Sequence, residues 1–321
     1  MTTPISGQLW DQNWLIRTYK NDGEDSHKLA RALRLEVLSE VYPPSTEIDD
    51  LRPMARYRKS IGEDIAMLKN RIYALLSSYG ISIKAADIFG KKGMKCILNL
   101  VDKFSTAQRF VLGDLVDQIT YLMRKESTVE DEISRSVMND RNVNLLMTIP
   151  GIGIYSSVAI MSEIDDISRF GLKEKLASYA GLVPRQDQSG LSDIRGHITK
   201  YGPSMLRFIL VNAAHSVVKY SDRMRRKYLS LVRRLGKNRA IVAIARILLE
   251  TIYTMPKKGE HFVDQIDTLT ERKMASMRSR AVKPSQTITL EDRMNELRNV
   301  QKERLKRNGN EGKINKANAM T

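Results

Sequence analysis

Several groups of residues in this sequence have types and spacings that suit chemistry on an anionic backbone. Asp22 and Asp25, in Asn21-Asp-Gly-Glu-Asp25, lie three residues apart, so on a helix both carboxylates share a face. Like charges that close repel each other, and an oxygen-ligated divalent cation such as Mg²⁺ relieves the repulsion. An acidic first turn favoured by the helix dipole is the plainer account of the same pair. Ser189 stands beside glycine in the polar run Gln188-Ser-Gly-Leu-Ser192, with Ser192 as a second hydroxyl. A serine there is either an exposed nucleophile or an ordinary turn residue. Its only histidine neighbour in sequence is His197, and the hydrolase elbow G-x-S-x-G is absent, which argues against acyl transfer. Arg185, Arg195, His197, Lys200 and Arg207 surround it. Those cations either form a solvated face or neutralise a phosphate and help a hydroxyl attack phosphorus.

These groups need elements to hold them. Ile149-Pro-Gly-Ile-Gly153 reads as a tight hairpin between two helices, with Ala159, Ile160 and Ile164 of the second facing inward. Gly151 and Gly153 let the backbone take positive φ and approach a ligand closely. The N–H groups that start the second helix then point where a phosphate can accept them. This is the helix-hairpin-helix pattern, which reads backbone and not sequence; a plain tight turn between core helices is the alternative.

Ahead of the hairpin, Trp14–Tyr19 is a short strand-like run, and a helix begins near Asn21 with Asn21 or Asp22 as cap. Leu29, Ala32, Leu33 and Val37 give it an apolar stripe, and Pro43-Pro44 closes that region. A long helix is predicted over 47–79, with Ile61, Ile65, Leu68, Ile72, Leu75 and Leu76 on one face and Gly80 as the stop. Residues 82–94 read as a loop with a short helical piece. From Val111 to Met138 helical spacing returns, which suits a coiled-coil arm or an ordinary core helix. The centre is mostly helical, over 155–164, 172–180, 203–220, 223–235 and 239–254. After Pro256 the composition shifts: residues 271–321 carry 13 Lys/Arg against 6 Asp/Glu. That predicts a basic polar tail with one amphipathic helix around Leu290, Met294 and Leu297, and a disordered end from Asn308.

Composition limits the partners. The 321 residues are 42% hydrophobic, enough for a core, and carry a net charge of +16. That surplus suits an anionic polymer better than a membrane, since no run of about 18 apolar residues exists. No basic-then-apolar leader pattern is present, so an intracellular, cytoplasmic protein is expected. A single cysteine, Cys96, excludes an internal disulfide and a multi-thiolate zinc site, and is expected in the core. The four histidines have no metal spacing.

Together these motifs resemble a known family. Asn21-D-G-E-D-S-H-K-L-Ala30 is similar to the T-D-x-x-D-A-x-x-L-A segment of DEDD transposases of the insertion sequence one-ten family, relatives of the pilin-gene invertases. I-P-G-I-G, A-G-L-V-P-R, Q-S-G, G-H-I-T-K-Y-G and the run Gly236–Arg246 resemble that family's C-terminal transposase domain, in its order. The resemblance covers roughly residues 15–256. It implies a mainly α chain. Residues 1–80 would be the remnant of a RuvC-like, RNase H-type α/β domain and 81–140 a helical coiled-coil arm. Residues 141–256 would be a helical transposase domain containing the helix-hairpin-helix, and 257–321 the tail. It further implies a transposase or DNA recombinase, DNA and a structured guide RNA as partners, and Mg²⁺ as cofactor. Asp22 and Asp25 match the third and fourth metal-binding acids. Ser189 matches the serine that attacks DNA, with Ser192 in reserve. Gly151, Gly153, Arg185, Arg195, Lys200 and Arg207 are the expected DNA contacts. The acids lie more than 160 residues from Ser189, so the site is assembled between domains or subunits, which points to a dimer or tetramer.

The sequence departs from the family at its start. The family's first Asp lies on an early strand and its Glu on a later one. Here about twenty residues precede Asp22, with one acid, Asp11, and no strand pair. The expectation is a truncated chain with half the metal site missing, for which a non-catalytic nucleic-acid-binding remnant is the alternative.

Overall fold

The computed structural model describes residues 22–35, 42–81, 88–100, 104–189, 192–284, 291 and 293–302. The chain divides into two units, Met1–Ser45 and Thr46–Thr321. In the first, α1 (Asp22–Arg34) is the one described helix. Its expected apolar stripe is not a buried one. Ala32 is buried, but Leu29 is 59% and Leu33 68% exposed. The strand expected over 14–19, the cap Asn21, Val37, Leu290 and the end from Asn308 lie outside the described residues.

In the second unit α2 (Thr46–Ser78) and α4 (Thr106–Val137) form a long antiparallel pair. Arg58 of α2 donates to Glu130 at 2.8 Å and pairs with Glu126 at 2.9 Å, both toward the far end of α4. At the other end the Tyr79 and Phe104 rings meet edge to face at 6.4 Å. Leu68, Ile72 and Leu76 of α2 bury against Leu112, Leu115 and Ile119 of α4, with Ile97 of the short α3 (Lys91–Asn99) over the tip. Each such side chain contributes about 1.5–3 kcal/mol by leaving water. α2 stops where Gly80 takes φ 67°, and the Gly80 and Ile81 amides donate to Ser77 and Leu76 carbonyls. α4 starts with a reciprocal cap between Ser105 and Gln108. The expected arm covered residues 81–140; the helical pair seen here takes one of its two helices, α2, from the preceding stretch. Cys96 is exposed on α3, correcting its expected place in the core; the inward position is the neighbouring Ile97.

The larger core gathers α5 (Arg141–Met147), α6 (Ile154–Ile164), α7 (Lys173–Tyr179), α8 (Ser204–Tyr220), α9 (Asp222–Leu235), α10 (Lys237–Lys258) and α11 (Asp267–Ala281). α10 is its axis. Ile241, Ile244, Ala245, Leu248, Leu249 and Ile252 repeat at three and four residues and are all buried, against α8, α9, α7 and α5. This helix runs past its expected end at Thr254. Pro256 sits in the last turn, and Gly259, left-handed at φ 69°, closes it. The base of the arm joins here through Arg56, which holds the buried Glu163 of α6 at 3.1 Å, and Arg52, which donates to the Ser162 carbonyl at 2.9 Å.

Two elements differ from expectation. Residues 184–198, expected as a loop, form a two-stranded antiparallel ribbon, β1 (Pro184–Ser189) and β2 (Ser192–Ile198), with Ser189 opposite Ser192 and an irregularity between Pro184 and Gln186. The expected tail after Pro256 begins with packed structure. Phe262 is 1% and Met277 2% exposed, and α11 lies against α4 and α5. Residues 293–302 are helical, with Met294 and Leu297 exposed.

Candidate nucleic-acid interface

The hairpin is the best-defined part of the site. α5 ends at Met147, the chain turns through Thr148–Gly153, and α6 begins with Gly153 as its cap. The two glycines do different work. Gly151 has φ 87°, and a Cβ there would stand 2.3 Å from the Ser216 Cβ on α8. It is a packing glycine. Gly153 has φ −108° and open space where a Cβ would be. Gly151 takes the expected positive φ, and Gly153 does not. Gly151 lets the turn press on α8, and Gly153 leaves the end of α6 uncovered. No side chain caps α6 and its first turn carries no acid, so its leading N–H groups are left for other acceptors.

Those groups open on a cleft of about 450 Å³, lined by Gly153, Tyr155 and Ser156 of the hairpin, Arg58 of the arm, and Arg272 and Lys273 of α11. Arg280 and Glu130 complete its charged wall. Arg58 and Arg280 share Glu130, and Arg280 also holds Asp131 at 2.7 Å, so part of the positive charge is already answered. Arg272 has no carboxylate partner among the described residues. Lys273 reaches under the turn and donates to the Met147 and Ile149 carbonyls, each at 2.7 Å. Burial lowers its ammonium to about 8. Thr148 accepts from the Phe262 amide at 3.0 Å. The turn is thus strapped from below by the segment expected to be a tail. The Arg58 guanidinium lies 4.4 Å over the Tyr155 ring, and burial raises the Tyr155 phenol while Arg58 pulls it down. Arg58, Arg272 and Arg280 were not expected in one place. They come from separate elements, and no local pattern joins them.

The remaining expected residues lie on the ribbon and at its base. Ser189 ends β1, and its Cα partner is Ser192 at the start of β2. Arg185 lies in β1, and Arg195 in β2 pairs with Gln186. Pro184, Gly196 and His197 are exposed. The base is stitched by backbone: Thr199 donates to Val183 and Lys200 to Gly181. Lys200 is exposed at φ 57°. Arg207 from α8 donates to the Ala180, Tyr201 and Gly202 carbonyls at 3.0–3.2 Å. Its Nη1 thus fastens the base of the ribbon to α8.

Asp22 opens α1 and Asp25 follows one turn later, both exposed, with Lys28 3.5 Å from Asp25. Two carboxylates fill only part of the six-oxygen shell of Mg²⁺. Among the described residues no group of three or more His, Cys, Asp or Glu stands together to hold a metal ion. The pair alone does not make a Mg²⁺ site. Among the same residues no helix is long and apolar enough to cross a membrane.

Comparison with known proteins matches two regions. Residues 143–229 match a family described as Transposase IS116/IS110/IS902, and residues 10–81 match a DEDD-type IS110 transposase domain. The first stretch contains the hairpin, the ribbon, α8 and half of α9; the second spans α1 and α2. The chain is 24% identical to a transposase for insertion sequence element IS1111A of Coxiella burnetii, over 77% of this chain and 69% of that protein. It is 25% identical to a probable family 20 transposase of Pseudomonas aeruginosa, over 72% and 70%. It is 34% identical to the pilin gene-inverting protein of Moraxella bovis, over 40% of each.

Proposed function

We propose that this chain is a DNA transposase or recombinase whose α5–α6 hairpin holds duplex backbone and whose Ser189 exchanges strands, a reading supported by the matches of residues 143–229 and 10–81 to IS110-type transposase families. What carries the reading is that one matched stretch, 143–229, contains both the hairpin and the serine ribbon. The relatives are named as transposases and as a pilin gene-inverting protein, which supports an action on DNA for this chain.

The hairpin's part follows from its geometry. A phosphate seated on the first turn of α6 accepts from backbone N–H groups, and Arg272 adds charge from the facing wall. Neither contact reads a base, so binding here is sequence-independent. Target choice then falls to another component, and a structured guide RNA is the proposed partner. Ser189 performs the covalent step as a transesterification. Its Oγ forms a bond to phosphorus, a backbone P–O bond breaks, and the serine proton ends on the departing sugar hydroxyl. The ester count is unchanged, so the step reverses when a new strand end attacks. Asp22 and Asp25 are proposed to supply two oxygens to a Mg²⁺ shell. A homo-oligomer, dimer or tetramer, is proposed as the working form.

The test is trapping with nicked duplex DNA, guide RNA and Mg²⁺, followed by mass spectrometry of the linked peptide. An adduct on Ser189, lost in Ser189→Ala while DNA affinity stays within about twofold, is the expected result. An adduct on Ser192 or Tyr201 would refute the choice of nucleophile.

A further inference from the structure

The net charge of +16 is not spread evenly. Residues 222–239 hold eight basic residues against one acid, Asp222. Around the arm Arg56, Arg58, Lys59, Arg135, Arg280 and Lys283 each face a carboxylate, while Lys69, Arg71, Arg124 and Lys125, which have none among the described residues, are split between α2 and α4. On α9 only Arg223, with Asp264, and Arg225, with Asp222, have one. Arg226, Lys227, Arg233, Arg234, Lys237 and Arg239 have none among the described residues, and all six are exposed. Two of them work against the fold. Lys237 and Arg239 occupy the first turn of α10, where the helix dipole disfavours cations and no acid compensates.

The arrangement is regular. Arg226 and Arg233, and likewise Lys227 and Arg234, are seven residues apart, within about 20° of the same face and about 10.5 Å apart along the axis. A duplex presents one phosphate per ~3.4 Å of axis on each strand, so each pair spans about three phosphates. The helix's apolar side is already used: Met224 is buried, and Tyr228 and Leu231 pack on the core beneath. That leaves no apolar face to enter a bilayer. The outward face carries no aromatic platform for unstacked bases; Leu229 is its one large apolar side chain.

We propose that α9, with the start of α10, is a second docking surface for the phosphate backbone of duplex DNA, separate from the hairpin cleft. The proposal rests on the DNA reading above and adds a site to it. α9 grips without reading sequence and supplies a large share of the affinity.

The experiment uses the full chain and a duplex of arbitrary sequence, with fluorescence anisotropy from 50 to 300 mM salt, a range chosen because counterion release makes log K linear in log salt. Arg226→Gln, Lys227→Gln, Arg233→Gln and Arg234→Gln are combined in one variant, checked for helix by circular dichroism. The control replaces Lys92, Lys95, Arg293 and Arg298, four exposed cations elsewhere, with Gln. Losing three to four phosphate contacts should lower affinity about 10²–10³-fold at 0.1 M salt and flatten the salt slope by about 3. The control should stay within about threefold. Equal losses in both variants, or no loss in the α9 variant, overturn the α9 site while the DNA reading stands. Absence of any DNA binding by the parent chain overturns both. Tighter α9-dependent binding to duplex RNA or to anionic lipid vesicles than to DNA also overturns it.

Discussion

Gly151→Ala should destabilise the protein by about 2–5 kcal/mol, whereas Gly153→Ala should cost about 0.5 kcal/mol or less. The two differ by one methyl group at positions two residues apart. At Gly151 φ is 87°, where an L-residue costs about 1–2 kcal/mol. The new Cβ would lie 2.3 Å from the Ser216 Cβ and 2.7 Å from its Oγ, against an ordinary carbon contact of about 3.5–4.0 Å. A Cβ cannot rotate away, so α8 or the turn must move by more than about 1 Å, and overpacking of that kind costs about 1–3 kcal/mol. At Gly153 φ is −108° and nothing lies within 4 Å of the added carbon. Only a small capping preference is lost. Urea unfolding followed by circular dichroism measures both. With a slope near ~2–3 kcal/mol/M, Gly151→Ala should bring the midpoint down by about 1–2 M and Gly153→Ala by about 0.2 M. Ser216→Gly in the Gly151→Ala background removes the clash but not the φ strain. After its own helix cost of about 0.5–1 kcal/mol, it should show favourable coupling in a double-mutant cycle. Equal costs at the two glycines, or no coupling with Ser216, would refute the packing role assigned to Gly151.

Lys273→Met leaves the Met147 and Ile149 carbonyls without their donor and should cost about 1–3 kcal/mol near neutral pH. The ammonium falls from its ordinary 10.5 to about 8 in the folded chain, so between those pH values the unfolded chain holds a proton that the folded chain has released. The parent should therefore gain stability over Lys273→Met as pH rises from 8 to 10.5, measured by chemical denaturation; a gap that narrows there would refute burial as the dominant influence on this lysine. Arg207→Gln removes a donor shared by three carbonyls, and hydrogen exchange at Thr199 and Lys200 should quicken about tenfold or more while Leu248 on α10 is unaffected. Unchanged exchange at the ribbon base would show that the backbone bonds there hold without it.

Long helices were legible because their apolar residues repeat. Ile61 to Leu76 and Leu112 to Val137 fixed α2 and α4 to within a few residues, and Gly80 marked a real stop. The ribbon was not, since Pro184-Arg-Gln-Asp-Gln-Ser189 has no β-branched or aromatic residue and no apolar alternation. Its signal was the Gly190-Leu191 dipeptide between two short runs, the composition of a two-residue hairpin turn. α11 was missed for a similar reason. Met277 is its one fully buried side chain, and what holds it is polar: Lys273 to two carbonyls, Arg280 to Glu130 and Asp131. Such bonds leave no periodic trace. The hairpin was legible as a turn, but the partner of Gly151 on α8 lies 65 residues further on, and only the fold shows that this glycine packs.

The strap beneath the hairpin also sets an order of assembly. Lys273 follows Met147 by 126 residues. At about 5–20 residues per second, a ribosome completes the turn some 6–25 s before it makes the lysine that closes it. During that interval α5 and α6 can form, yet the carbonyls between them have only water. The side where Gly151 packs waits for Ser216, 65 residues further on, and the underside waits longer still, for Lys273. The first turn of α6 matures late, after α7 to α10 have been made, so the proposed phosphate seat is still incomplete in a growing chain.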